Sequence, residues 1–290
     1  MKLVTYMTAE GNVSVGSVHN DRVIDLVEAS SGRLPADMRT LLELGSPALE
    51  LAREISTAAV DGHPLEAIKL LAPIRNPSKI IAIGLNYMDH CREQGHEPPK
   101  TPKVFAKFTT AVVGPGATIC WDPKLTKQVD YEAELAVVIG RIARRVSEAD
   151  ALGHVAGYTV CNEVSARDLQ FSDGQWVRGK TLDTFCPLGP WLVTRDEIPN
   201  PHVLPIRCTV NEQVLQDSNT CELIFSIPTL VEFCSRAFTL LPGDVIITGT
   251  PSGVGVFRNP PIFLTDGDTV TVEIEGIGSL MNICAEEDMA

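Results

Sequence analysis

Short apolar segments of strand length recur along this chain, separated by polar stretches that contain glycine or proline. Segments of this length predict strands, because most helices need a longer periodic pattern. One helix signature is clear: it begins at Ser226, has Pro228 in its first turn and ends near Phe238. Strands outnumber helices, so we expect an α+β, mainly β fold rather than alternating βαβ units. The expected strands are 79–84, 103–108, 131–139, 157–161, 191–194, 206–210, 244–248 and 268–275.

The N-terminal part of the chain has a different pattern. Residues 1–30 alternate apolar and polar side chains with turns between them, which predicts two or three short antiparallel strands. Helical spacing follows over 36–60, and a proline-marked stretch, 71–77, precedes the first long apolar strand. We therefore predict a small N-terminal α+β domain, residues 1–70, and a main domain, residues 71–290.

Charge and composition exclude several classes of partner. Lys and Arg number 24 against 37 Asp and Glu, which gives a formal net charge of −13. Nucleic acids require clustered cations, so we expect none to bind. The apolar runs are too short for a membrane span, and the N-terminus lacks the pattern of a secretory signal. The eight cysteines are scattered without a C-x-x-C pair, which indicates reduced thiols and a cytoplasmic location.

Two glutamates two residues apart suggest a cation site. On a strand, Glu132 and Glu134 would project from one face, and the residues that continue this face are apolar. Two carboxylates that leave water together repel each other unless a cation or proton lies between them. Mg²⁺, Mn²⁺ or Ca²⁺ suits oxygen ligands, whereas zinc would lack a His or Cys set here. Glu163, just after the strand 157–161, could add a third carboxylate. The alternative is a solvated strand end.

Two cationic side chains follow that third glutamate. Arg167 has the planar fork that binds a carboxylate, although an Arg–Asp surface pair is the plainer interpretation. Lys180 completes a literal phosphate-loop pattern, G-x-x-x-x-G-K-T, over 174–181. That pattern needs a strand before it and a helix after the lysine, but polar residues precede it and two prolines follow. We judge the match accidental, and Lys180 remains a candidate for pairing with an anion.

A histidine and a glutamate could form a general base. His90 and Glu93 are three residues apart and share a face if their segment is helical. A carboxylate bonded to an imidazole fixes its tautomer and raises its basicity, although a surface pair is the alternative. The proline-rich stretch 95–103 has the character of a loop that closes over a site. The turn 249–255 offers backbone N–H groups that could hold a carboxylate, as plain turns also do.

Taken in order, these segments resemble the signature blocks of the fumarylacetoacetate hydrolase family. The resemblance covers about residues 70–284, and 253–261 is similar to the branch of fumarylacetoacetate hydrolase domain-containing proteins. It implies a mixed β-roll catalytic domain behind a small N-terminal domain, a homodimer, and a bound Mg²⁺ or Mn²⁺ ion. The matching blocks are IGLNY at 83–87, DYEAE at 130–134, NEVSARD at 162–168, GK at 179–180 and GTPSGVG at 249–255.

The same resemblance implies the site residues, position by position. At Glu163 the family's commoner residue is Asp, so this ligand is one methylene longer here. The implied residues are the metal ligands Glu132, Glu134 and Glu163, the catalytic His90, Glu93 and Lys180, and the substrate contacts Arg167, Gln170 and Thr250.

The resemblance implies hydrolysis of a C–C bond in an acylpyruvate, a 2,4-diketo acid of the kind formed in aromatic catabolism. His90, oriented by Glu93, would draw a proton from water, and the cation and Lys180 would stabilise a pyruvate enolate. The same site could instead serve an isomerase, tautomerase or decarboxylase of an oxaloacetate-like 2-oxo acid, in which His90 moves a proton at carbon. A nucleotide-binding protein that uses 174–181 is the alternative from another class.

Overall fold

The strands of the protein account for most of its regular structure. A computed structural model describes residues 1–8, 10–58 and 61–287. The last residues of the predicted helical stretch 36–60 and of the predicted domain 71–290 lie outside these ranges. The strands are β1 (Lys2–Met7), β2 (Val13–His19), β3 (Arg22–Asp25), β4 (His63–Pro64), β5 (Lys69–Leu71), β6 (Ile80–Gly84), β7 (Lys103–Lys107), β8 (Val112–Val113), β9 (Thr118–Trp121), β10 (Val129–Asp130), β11 (Ala133–Ile139), β12 (Val155–Asn162), β13 (Ser165–Ala166), β14 (Cys186–Thr194), β15 (Pro205–Val210), β16 (Gln213–Asn219), β17 (Val245–Ile247), β18 (Thr269–Ile274) and β19 (Gly278–Glu286).

The helices are short, and local signals set their ends. The predicted helix near Ser226 forms, and the Ser226 hydroxyl caps it by accepting from the Thr229 N–H. Within the described ranges, no helix is long and apolar enough to cross a membrane. The helices are α1 (Leu26–Ala29), α2 (Met38–Glu43), α3 (Ser46–Ala58), α4 (Met88–Gln94), α5 (Glu148–Ala151), α6 (Arg167–Ser172), α7 (Val177–Lys180) and α8 (Ile227–Ala237).

The strands form one large sheet and two smaller ones. The large sheet has twelve strands in the order β4-β3-β2-β1-β14-β12-β11-β17-β6-β7, with β5 added beside β1 and β8 beside β14. A five-stranded sheet has the order β16-β15-β18-β19-β9, and β10 pairs with β13. Most pairs are antiparallel, but β17 is parallel to β6, β14 to β8, and β19 to β9. The fold is mainly β with mixed sheets, as expected from the sequence.

Strand β11 is buried on both faces, which places any polar group at its start in a dry setting. Leu135 and Val137 belong to the core beneath the five-stranded sheet, and Ala136 and Val138 to the core that includes α2 and α3. A strand covered on both sides carries apolar residues throughout. The apolar continuation of the Glu132/Glu134 face is therefore part of a packed core.

The N-terminal region continues the large sheet. Strand β1 pairs with β14 through Lys2 opposite Val193, and β5 pairs with β1. The domain boundary near residue 70 stays a prediction, because the sheet crosses it without a break. Strands β16 and β19 were not expected from the sequence. Strand β16 is mostly polar and its exposed and buried positions do not alternate. In β19 the burial does alternate, but Met281 and Ile283 are exposed and Asn282 is buried, so polarity does not follow the period of two.

Candidate active site

Three glutamates meet at one end of the β11–β12 pair. Glu132 directly precedes β11, Glu134 lies within it, and Glu163 directly follows β12. The antiparallel register sets Ala133 opposite Asn162, so the flanking residues also come together, and the Glu163 N–H donates to the Glu132 carbonyl (2.8 Å). Carboxylate oxygens of the three residues lie within 4.8 Å of one another, and all three side chains are buried. The predicted grouping is therefore present in the fold.

Three cations surround these glutamates. Arg167 Nη1 lies 2.7 Å from Glu132 Oε1, and Lys180 Nζ lies 3.0 Å from Glu132 Oε2. Lys180 also pairs with Glu163 Oε2, while Lys107 pairs with Glu163 Oε1. Lys107 is fully buried and also donates to the Val164 carbonyl (3.2 Å) and to that of Lys180. Glu163 therefore lies between two ammonium groups.

The carboxyl groups differ in acidity because their partners differ. Burial raises the pKa of Glu134 well above its usual value, and repulsion from Glu132 and Glu163 raises it further. Burial also acts on Glu132, but attraction by Lys180 and Arg167 outweighs it and lowers its pKa. For Glu163, burial outweighs attraction by Lys107 and Lys180, which leaves a pKa of about 7. Glu134 is thus the carboxylate that most lacks positive charge.

These residues fit a divalent cation. Within the described residues no lysine or arginine forms an ion pair with Glu134, whose Oε2 accepts the Gly249 N–H (2.5 Å). When all are ionised, the four carboxylates of Glu132, Glu134, Glu163 and Asp130 outnumber the three neighbouring cations by one charge. An oxygen-only donor set suits Mg²⁺ or Mn²⁺. The cluster can thus hold a metal ion, whose identity remains an expectation.

His90 lies on α4 as the predicted spacing requires. Its Nδ1 lies 2.8 Å from Glu93 Oε2, and the other oxygen of Glu93 accepts the Gly253 N–H (2.8 Å). Its Nε2 lies 2.7 Å from the side-chain nitrogen of Gln94. The imidazole is buried and packs near the Phe257 ring, with 5.9 Å between centroids. The His/Glu pair is therefore a held dyad and not a loose surface pair.

Arg167 has a partner that the sequence did not indicate. Its Nε donates to Asp130 Oδ2 (2.8 Å), whereas the neighbouring Asp168 accepts from the Thr126 hydroxyl (2.6 Å). Its Nη1 donates to Gln170 Oε1 (3.0 Å), and its Nη2 is buried without a hydrogen-bond partner among the described residues. One guanidinium nitrogen is thus free to bind an anion. An Arg–Asp surface pair is not what forms.

The glycine-rich turn binds carboxylates of the protein itself. The N–H of Gly249 holds Glu134, that of Gly253 holds Glu93, and that of Gly255 holds Asp130. At Gly253 the φ angle is +102°, and a Cβ there would lie 2.2 Å from the Leu215 carbonyl oxygen, so only glycine fits. The turn fixes the His90/Glu93 dyad, the carboxylate cluster and the arginine relative to one another.

One cavity joins these groups. It has a volume of about 280 Å³. Thr250 also lines it, and the Thr250 hydroxyl accepts from the Gln216 side chain (2.8 Å). The site residues that line it are His90, Glu132, Glu134, Arg167, Gln170, Lys180 and Thr250, together with Gln94, Lys103, Phe105 and Trp176.

The phosphate-loop alternative finds no support in the fold. The short helix α7 ends at Lys180, whereas a phosphate loop needs a helix that begins after the lysine. Helix α6, and not a strand, comes before 174–181. The Lys180 ammonium faces Glu132 and Glu163. The pattern match is accidental, as the prolines after it indicated.

Sequence reasoning missed four residues of the site: Lys107, Asp130, Gln94 and Gln216. Lys107 lies next to the end of the predicted strand 103–108, and a lysine near the end of an apolar strand is usually solvated. Gln94 is four residues after His90, which is the helical spacing for a contact. That spacing was the one available signal.

Fold and site together define a class of protein. The description "Fumarylacetoacetate (FAA) hydrolase C-terminal" matches residues 79–284, more than half of the chain. This chain belongs to the fumarylacetoacetate hydrolase family, as the sequence blocks predicted.

Similar proteins include enzymes named for different reactions. The mitochondrial oxaloacetate tautomerase fahd2 of Xenopus laevis is 47% identical over 289 residues, which cover 97% of this chain and 89% of the relative. The structure of 5-carboxymethyl-2-hydroxymuconate delta-isomerase from Mycobacterium smegmatis is 39% identical with a TM-score of 0.79, and covers 99% of this chain and 100% of its own. Maleylpyruvate hydrolase from Sphingobium sp. SYK-6 is 30% identical with a TM-score of 0.82, at the same coverage. The chain is therefore an enzyme of this family.

Proposed function

We propose that this protein is a tautomerase that interconverts the keto and enol forms of a small oxaloacetate-like 2-oxo acid. The observation that carries the proposal is the dyad: a buried imidazole that Glu93 holds through Nδ1 and that lines one cavity with Glu132, Glu134 and Arg167. The name of the Xenopus laevis relative, similar over 97% of this chain, supports the same reaction.

The cavity has the size and charge for a small acid. About 280 Å³ lies below the range of pockets that take drug-sized ligands. The partnerless Nη2 of Arg167 supplies a donor for a substrate carboxylate, and Gln170 keeps the guanidinium in place through Nη1. The Thr250 hydroxyl, which accepts from Gln216, keeps its own proton for a substrate oxygen.

Glu132, Glu134 and Glu163 would hold a Mg²⁺ or Mn²⁺ ion. When bound, the ion supplies positive charge beside the 2-oxo group, which acidifies the neighbouring C–H bonds. The charge would stabilise the ionised form of Glu134 most, because this carboxylate forms no ion pair with a lysine or arginine among the described residues.

His90 would move the proton. Because a carboxylate only accepts, Nδ1 carries the hydrogen toward Glu93, and Nε2 presents its lone pair. That lone pair takes a proton from C3 of the keto acid, the C–H electrons form the C2–C3 double bond, and the π electrons of the C2 carbonyl move onto its oxygen. This oxygen gains a proton from solvent, and His90 releases the proton from C3 to solvent, which restores the neutral ring. The reverse sequence returns the keto form. Lys180, on the same cavity, adds positive charge near the oxygens.

Hydrolysis of an acylpyruvate is the second candidate. The maleylpyruvate hydrolase that shares the fold favours it, and the same dyad could draw a proton from water. Hydrolysis differs in one requirement: a water molecule must reach both Nε2 of His90 and an acyl carbon of the substrate.

One experiment separates the two. Purified protein loaded with Mg²⁺ or Mn²⁺ is mixed with enol oxaloacetate, and NMR follows enol loss. A second sample receives acetylpyruvate, and NMR follows acetate and pyruvate. We expect fast, EDTA-sensitive tautomer exchange and little cleavage. His90→Asn should lower the rate about 10²- to 10⁴-fold, whereas His63→Asn, at an exposed position on β4, should not.

If the protein cleaves acetylpyruvate and does not accelerate tautomer exchange, the tautomerase proposal is wrong and the protein is a hydrolase. If EDTA does not slow tautomer exchange, the proposed reaction needs no metal ion.

Assembly as a homodimer and a cytoplasmic location stay predictions, and the Xenopus laevis relative is named as mitochondrial. Light scattering tests the first of these.

A further inference from the structure

Gln94 is a site residue with no role assigned so far. It is the last residue of α4, and Gly95 ends the helix in a left-handed conformation, with a φ of 63°. The helical spacing puts Gln94 on the same face as His90, and its side-chain nitrogen lies 2.7 Å from His90 Nε2. Both nitrogens of the imidazole are therefore engaged.

The hydrogen-bond directions follow from chemistry. Glu93 is held by the Gly253 N–H and accepts from Nδ1, so Nε2 of the neutral ring bears the lone pair. The amide nitrogen of Gln94 donates to that lone pair. A water molecule that is to be activated by His90 must donate to the same lone pair. Gln94 thus occupies the position of the hydrolytic water.

We propose that Gln94 is a positioning residue that keeps water from His90 and so favours proton transfer at carbon over hydrolysis. The inference rests on the proposed tautomerase function. A water molecule that displaces Gln94 gains the hydrogen bond at Nε2, but it must be recruited from solvent to compete with a donor that the same helix already holds beside the ring. A 2-oxo acid, in contrast, is drawn into the cavity by Arg167, and this binding free energy can move the amide aside.

The two reactions differ in whether water is consumed. Tautomer exchange moves one proton from C3 to His90 and one onto the C2 oxygen, and no water is consumed. Hydrolysis adds the hydroxyl of water to the acyl carbon, breaks the C–C bond and puts a proton on the departing carbon. A displaced Gln94 remains within a side-chain length of the ring, where it competes with water for the space beside the substrate.

Gln94→Met tests this directly, because methionine has a similar length and no donor. Arg92→Met is the matched control on the same helix, since Arg92 is exposed and pairs with Glu222. Each variant is assayed with enol oxaloacetate and with acetylpyruvate. Long-range ¹H–¹⁵N NMR of the substrate-free protein reports the hydrogen bond at His90 Nε2. Melting temperatures confirm that each variant is folded.

We expect Gln94→Met to raise the ratio of hydrolysis to tautomer exchange by about tenfold, equivalent to about 1.4 kcal/mol between the two barriers. The His90 Nε2 signal of Gln94→Met should also shift. Arg92→Met should match wild type in both the ratio of the two reactions and the Nε2 signal. A ratio within about twofold of wild type in Gln94→Met, with the Nε2 signal shifted, overturns the inference.

A failure of the proposed function gives a different result. If wild type does not accelerate tautomer exchange, the acetylpyruvate arm alone decides the role of Gln94. Faster hydrolysis by Gln94→Met then supports the exclusion of water, and an unchanged or slower rate overturns it.

Discussion

Replacing Glu134 by glutamine tests whether this carboxylate awaits a cation. Burial, then repulsion from Glu132 and Glu163, raises its pKa above the usual value. Without a cation, the fold therefore favours the protonated form. The contribution of the neutral Glu134 carboxyl to the free energy of unfolding is fully present below the ordinary carboxyl pKa. It is lost as the pH rises through the raised pKa of the folded protein. Glu134→Gln removes that loss, and its amide oxygen can still accept the Gly249 N–H. We expect the metal-free variant to be more stable than wild type at neutral pH.

Metal should reverse this order. A ligand at 100 times its Kd stabilises a folded protein by about 2.7 kcal/mol. For a chain of this size, Tm changes by roughly 2 °C per kcal/mol. Mn²⁺ at that concentration should thus raise the Tm of wild type by about 5 °C. Glu134→Gln has lost an anionic ligand, so its Tm should rise by less than half as much.

Calorimetry in EDTA and in Mn²⁺, from pH 5 to pH 8, measures both effects. Glu275→Gln, at an exposed glutamate in the β18–β19 turn, is the control and should follow wild type. The reasoning is refuted if metal-free Glu134→Gln is no more stable than wild type at neutral pH. An equal Mn²⁺ shift in both proteins would remove Glu134 from the metal site.

Three further substitutions test other contacts of the site. Lys107→Met leaves Glu163 with one ammonium partner in a buried setting, so the free energy of unfolding should fall by about 3 kcal/mol. Urea denaturation measures this, and an unchanged midpoint contradicts the ion pair. Arg167→Lys removes the unpaired Nη2 and should raise KM for a 2-oxo acid about tenfold; an unchanged KM would mean that Arg167 does not bind substrate. Gly253→Ala should lower stability by about 2 kcal/mol and weaken the hold on Glu93, and wild-type stability and kcat would show that the turn adapts.

Local pattern was enough to predict several parts of the site. The strand period of two sets Glu132 and Glu134 on one face, and the helical period sets His90 beside Glu93. Both relations depend on residues close in sequence, whose geometry follows from the backbone conformation alone. The mainly β fold followed in the same way from strand-length apolar runs. Five blocks taken in order, at 83–87, 130–134, 162–168, 179–180 and 249–255, then indicated the family.

Tertiary structure decided which groups meet across long distances in sequence. Glu163 approaches Glu132 because β11 and β12 pair in one register, and a shift of one residue would separate them. Lys107 is buried because β7 ends at the cluster, and Arg167 pairs with Asp130 instead of Asp168. Such contacts depend on strand register and side-chain packing, which short-range periodicity does not specify. The acidity of each glutamate also depends on these contacts, because it is set by the charges that the fold brings beside it.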